Sequence, residues 1–314
     1  MDVGGVALRG VGMMPWLQRG IDAFRGRGNA ALTVPPMDGA LRTNTLLETA
    51  DVLFRIDEPD SLLLHGDEVL FSSGCGVFVL DPASGAAREL RRFDHRVSCL
   101  ATGAGGLDDG GIRLWGADRD DRIIASLGGE RLVCPTALMF RDPSTLVVCQ
   151  GSSRNGPDRW KHDLMGREAT GSVWQMSVAD GSARMLAGRL GFPYGATMSE
   201  GEIVVSESWR HRLIRLSDGG AAPVLADLPG YPARLSASRH GGYWLCVPAP
   251  RSQLIDFVLG ETAYRERMMR ELDQEHWIAP TLARREVSWS RCRAARSGRT
   301  ASRSHGRPRA RTSC

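Results

Sequence analysis

From Ile56 onward the chain is written in short apolar runs broken by Gly and Asp. Leu62–Leu64, Val69–Ser72 and Val77–Leu80 are such runs, separated by HGDE and SGCG, and each predicts a strand. The DPASGA stretch that follows predicts a hairpin turn, and Ala87–Phe93 a fourth strand. Four short antiparallel strands joined by tight turns make the unit of a β-propeller blade.

The unit recurs. A turn-like opening, usually with Pro, stands at Glu58-Pro59-Asp60, Val97-Ser98-Cys99, Cys134-Pro135-Thr136, Phe192-Pro193-Tyr194-Gly195 and Tyr231-Pro232-Ala233. Successive spacings are about 39, 37, 58 and 39 residues, close to known propeller repeats. The long interval carries an insertion, Gly151–Thr170, expected between two strands of one blade. The stretches LMFRDPSTLVVCQGS, ATMSEGEIVVSES and LSASRHGGYWLCVPA repeat one order of strand, turn and strand. An all-β propeller over residues 51–282, with about five recognisable blades, is therefore predicted. Residues 1–50 read as a non-propeller arm or linker, and Ala263–Asp273 as a helical excursion.

Charge changes the picture only at the end of the chain. The formal net charge is +4, but residues 284–314 hold ten Arg and one acid, Glu286; without them it is −5. The body gives no case for nucleic-acid binding. Residues 283–314 read as a disordered Arg-rich tail, with the composition of GC-rich DNA translated out of frame. A basic arm is the alternative, and no aromatic interleaving favours it. The seven cysteines lack CxxC or Cys/His spacing, which predicts reduced thiols in a cytoplasmic protein. No apolar run reaches membrane-spanning length, and residues 1–25 have no continuous apolar core for a secretory leader. No membrane partner is expected.

Three segments resemble the strictosidine synthase-like / SMP-30–gluconolactonase superfamily of six-bladed propellers. They are Pro59–Leu80, Phe192–Leu216 (FPYGATMSEGEIVVSESWRHRLIRL) and Leu228–Val247 (LPGYPARLSASRHGGYWLCV). The resemblance runs over roughly residues 52–260. It implies a six-bladed ring whose last blade is incomplete or missing, the chain being truncated or frame-shifted after about residue 282. The stretch Trp160-Lys161-His162-Asp163-Leu164-Met165 is similar to the inserted W-x-x-D-L-M loop of a bacterial subgroup. The resemblance further implies a small-molecule site at one mouth of the central channel. Hydrolysis of a lactone or ester is the chemistry expected there. A non-catalytic ligand-binding or interaction propeller is the alternative.

In the gluconolactonase branch that site holds one divalent cation, commonly calcium, on an acid, two Asn and an Asp. Here the acid is matched by Asp60 or Glu58, the two Asn by Thr136 and Tyr194, and the Asp by Ala233, with Arg234 beside it. A hard cation needs several oxygen ligands, so no metal site of the family type is expected. Asp60 and Glu207 are the candidate catalytic carboxylates, and Tyr194, Trp160, His162 and Arg234 the candidate ligand-binding residues. Two readings stand for Glu207-Ser208-Trp209-Arg210-His211: groups at the channel mouth, or a blade-edge turn in which Glu207 pairs with an Arg. Trp160 to Asp163 reads equally as a lid over the channel or as packing.

Overall fold

The structure, a computed structural model, describes residues 49–280 apart from positions 102–104, 109–110, 117–118, 218–219 and 239. The arm expected over residues 1–50, save its last two residues, and the Arg-rich tail lie outside the described residues, as does the break expected after residue 282. Two units divide what is described: residues 49–250 with Pro280, and residues 251–279.

The larger unit is built from four antiparallel four-stranded sheets, each wound in sequence order. The first holds β1 (Pro59–His65), β2 (Glu68–Ser73), β3 (Gly76–Leu80) and β4 (Ala87–Arg92). The second holds β5 (Val97–Ala101), β6 (Gly105–Asp108), β7 (Gly111–Gly116) and β8 (Arg119–Ile124). After a small hairpin, β9 (Ser126–Leu127) with β10 (Glu130–Arg131), the third sheet holds β11 (Cys134–Asp142), β12 (Thr145–Ser152), β13 (Gly171–Ser177) and β14 (Ala183–Leu190). The fourth holds β15 (Pro193–Ser199), β16 (Glu202–Glu207), β17 (Arg212–Ser217) and β18 (Gly220–Leu225).

Side-chain alternation explains how these sheets stack. On β12, Leu146 and Val148 pack toward the second sheet, while Val147 and Cys149 pack toward the fourth. All four are fully buried. A strand covered on both faces reads as an unbroken apolar run, and LVVC is one. The first and second sheets share Val77, Val97 and Leu100, and the fourth packs through Val204 and Leu213 on Leu235, Tyr243 and Leu245. Successive sheets thus pack face to face, with their first strands side by side, in a propeller-like arrangement. The hairpin turns repeat one device: Asp81, Asp142 and Asp180 each accept a backbone N–H two residues on, at 2.9–3.0 Å.

The first strands start with a bulge, and buried hydroxyls serve the groups it displaces. Register shifts after Pro59 in β1 and after Pro193 in β15. The Ser61 N–H then finds Ser72 Oγ at 3.1 Å, and the Gly195 N–H finds Ser206 Oγ at 2.9 Å. Each relay crosses to the next sheet. Ser61 Oγ accepts the Leu100 N–H at 3.1 Å, and Ser206 Oγ donates to the Ala233 carbonyl at 2.5 Å.

The fifth repeat departs from the full blade that the sequence predicts. It forms β20 (Leu235–Ala237) with β21 (Tyr243–Leu245), and β19 (Gly230–Tyr231) with β22 (Ala249–Pro250). Pro248 and Pro250 end the strand signal, and helix begins at Gln253. Among the described residues no closed sheet is found. The smaller unit holds the helices Gln253–Gly260 and Thr262–Glu271, the second matching the excursion predicted over 263–273. An Arg251–Asp256 ion pair of 2.9 Å braces the start of the first helix, and an Arg265 bond to the Leu259 carbonyl ties the second helix to the first.

Gly195 allows the fourth sheet its close approach to the fifth repeat. A Cβ there would stand 2.5 Å from the Ala233 carbonyl oxygen and 2.8 Å from Arg234 Cα. Gly195→Ala is expected to lower stability by about 1–3 kcal/mol, the cost of overpacking, read from the urea unfolding midpoint. An unchanged midpoint would mean that this contact carries no weight.

Candidate functional site

The openings of the first strands converge. Asp60 at the start of β1, Ser98 in β5, Thr136 in β11 and Tyr194 in β15 line one cavity of about 460 Å³, together with Ala233 and Arg234. The residue after Pro in each opening, at 60, 136, 194 and 233, is therefore a lining residue. The bulge is the local cause, because it turns the first residues of the strand out of the ladder.

A polar floor and an aromatic wall make up the cavity. On the floor, Arg234 Nη2 lies 2.7 Å from Asp60 Oδ1 and also bonds the Ser98 carbonyl, while Nη1 reaches the Thr136 carbonyl at 3.5 Å. Arg96 Nη2 sits 3.5 Å from the other Asp60 oxygen, and its side chain is 48% exposed. The Arg234 guanidinium also lies over the Tyr194 ring, 5.7 Å from its centroid. Burial pushes the Tyr194 phenol above its usual pKa, with Arg234 pulling against it. Burial opposes the charge on Arg234, but Cys99, Asp60 and Tyr194 hold its pKa above the ordinary guanidinium value.

The wall is a run of rings. Phe192 stacks on Trp209 at 4.5 Å, Tyr231 meets Trp209 edge-on at 6.0 Å, and Trp160 lies 6.3 Å from Trp209. Phe192 adopts φ 58°, a left-handed conformation disfavoured for a bulky residue, so its place against Trp209 is imposed by the packing around it.

Trp209 is fixed by the insertion. A short helix, Trp160–Gly166, buries Asp163, Leu164 and Met165. Asp163 Oδ1 accepts the Trp209 indole N–H at 2.8 Å, and Oδ2 accepts from Asn155 at 3.3 Å and Thr170 at 3.4 Å. The two open readings of W-x-x-D-L-M divide by position: Trp160 faces the cavity, and the other three positions anchor it.

Asp60, Trp160, Tyr194 and Arg234 all line this one cavity. His162 and Glu207 are not among its lining residues. Glu207 is fully buried, with Arg210 Nη1 and Arg212 Nε each at 2.5 Å and the Gly191 N–H at 2.7 Å. The acid–base role for Glu207 is corrected accordingly, because both of its oxygens are committed to structure. His162 lies on the same helix as Trp160, and burial with the neighbouring Arg159 charge holds its pKa below the usual value. Arg96, Phe192 and Tyr231 were not singled out from sequence as site residues, although they stand in or beside the repeated openings that signal the lining. Trp209 lies in the Glu207–His211 stretch, for which a place at the channel mouth was one of two readings.

The cation of the gluconolactonase branch does not fit here. The Thr136 hydroxyl donates to the Pro193 carbonyl at 2.6 Å, Ala233 has no donor atom, and Asp60 is engaged by two arginines. Among the described residues no group of three or more His, Cys, Asp or Glu is arranged to hold a metal.

Removing the Asp163 carboxylate frees Trp209. Asp163→Ala is expected to cost about 1–3 kcal/mol and to shift tryptophan emission to the red. Emission and unfolding midpoint both unchanged would refute the anchoring role. In an alkaline absorbance titration, one tyrosine should ionise above the usual value of about 10, and Tyr194→Phe should remove that step.

No family model matches the chain. The chain is similar to mouse (Mus musculus) adipocyte plasma membrane-associated protein, at 24% identity over 280 residues, covering 77% of this chain and 67% of that protein. The rat (Rattus norvegicus) protein of the same name is 24% identical, covering 78% and 74%. Among solved structures, a gluconolactonase from Xanthomonas campestris has a TM-score of 0.46 at 16% identity, covering 62% of this chain and 70% of that one. A calcium-binding regucalcin from Agrobacterium tumefaciens has a TM-score of 0.46 at 15% identity, covering 62% and 69%. No helix of the described residues is long and apolar enough to cross a membrane.

Proposed function

We propose that this strictosidine synthase-like, SMP-30–gluconolactonase-type chain uses its cavity to bind a small organic molecule with a planar or aromatic body and an oxygen-bearing end. The juxtaposition of the Trp160–Trp209–Phe192 wall with the Arg96–Asp60–Arg234 floor carries the reading. The rings would stack the body of the ligand, and the exposed Arg96 would meet its carboxylate or carbonyl oxygen. No nucleic acid or membrane has a part in this reading, and a cytoplasmic setting belongs to it, supported by the buried Cys99 and Cys149, which form no disulfide.

Lactone or ester hydrolysis is the second reading. Two guanidiniums at the floor favour it, since they could stabilise a developing oxyanion. Against it, the Asp60 carboxylate is held by both of them and would have to exchange partners before taking a proton. The six-bladed ring with an incomplete last blade is also part of the proposal. The repeat spacing supports it, as does the outer face of the first sheet, where Leu62 is 70% and Leu64 60% exposed.

Phenylacetate, phenethylamine and gluconolactone serve as probes of an aromatic acid, an aromatic amine and a non-aromatic lactone. Tryptophan quenching should rank phenylacetate first, and Trp160→Ala should weaken it by about 2- to 10-fold, the value of one ring contact. Quenching by none of the three, or an unaltered affinity in the variant, counts against the site. Turnover of gluconolactone or an aryl ester that disappears in Asp60→Asn would establish the second reading.

A further inference from the structure

We infer that the Arg234 guanidinium is a built-in cation: it occupies the oxygen-lined centre that would otherwise take a divalent ion, and it closes the cavity to metal. The atoms around it carry the inference. The guanidinium is held by one Asp60 carboxylate oxygen and by the main-chain carbonyls of Ser98 and Thr136, with the Tyr194 ring on one side. Carboxylate and carbonyl oxygens are what a hard cation selects. These three come from three different first strands, so they surround a point where the strand openings converge. A partly buried positive charge with that oxygen set leaves neither the space nor the potential for a second cation.

The consequence is chemical. A guanidinium can hydrogen-bond and polarise a ligand oxygen, but it opens no coordination position and does not generate a bound hydroxide as a metal does. Binding at this site is thus indifferent to chelators. The inference is separate from the ligand proposed above and does not stand or fall with it, because its test reads cation binding alone.

Terbium is a suitable probe, since Trp160 and Trp209 in the cavity wall would sensitise its emission. The wild-type protein is expected to give no saturable sensitised emission and no change in thermal midpoint with millimolar calcium. Arg234→Ala frees the three oxygens, and it should gain saturable emission that calcium displaces, with a calcium dissociation constant on the order of 10⁻³ M. Ala233→Asp combined with Arg234→Asn supplies a second carboxylate and an amide oxygen as ligands, and provides a second route should the single variant not fold. Saturable emission in the wild type that Asp60→Asn abolishes would overturn the inference. So would a variant that is folded by circular dichroism yet as silent as the wild type. If neither variant folds, the wild-type titration decides alone.

Discussion

A backbone donor displaced from a sheet ladder must be satisfied elsewhere, and this requirement organises the structure. Each bulge at Pro59 and Pro193 leaves an N–H out of register with the backbone carbonyls of the neighbouring strand. A serine on the second strand accepts it, and a hydroxyl passes the bonding on to the next sheet. The same few atoms therefore hold the bulge open, join adjacent sheets and expose the residue after Pro to the common cavity. Loss of one hydroxyl would disturb packing and site together.

Electrostatics within the cavity follows from a chain of fixed positions. Asp60 lies between Arg96 and Arg234, so its charge is spent on holding the floor. On the opposite wall, a buried carboxylate in the insertion, Asp163, fixes Trp209, and Trp209 in turn sets the stacking of Phe192. Floor and wall are thus each held by a carboxylate that faces inward to structure. Neither Asp60 nor Asp163 is left as a free base beside the rings, which supports the binding reading.

The repeat, the strand runs, the Asp-containing turns and the helix after residue 262 were legible in the sequence, because each depends on local periodicity or on a local hydrogen bond. Asp60, Tyr194 and Arg234 stand in or beside the repeated openings, which the sequence shows, whereas Trp160 stands in the insertion, where its place in the cavity depends on how that segment folds. Glu207 was not legible in the same way. An acid beside Trp, Arg and His reads equally as chemistry or as an ion pair, and only the buried geometry with Arg210 and Arg212 separates the two.

By itself, then, the order of residues determined the β-rich repeat and which positions turn toward a shared centre, because both follow from neighbours along the chain. Tertiary structure alone decided that the fifth repeat is reduced to short pairs, that Arg96 joins the floor, and that Arg234 reaches oxygens on three other strands. Those contacts span from 36 to 174 residues of sequence, and no local pattern encodes where such distant side chains meet.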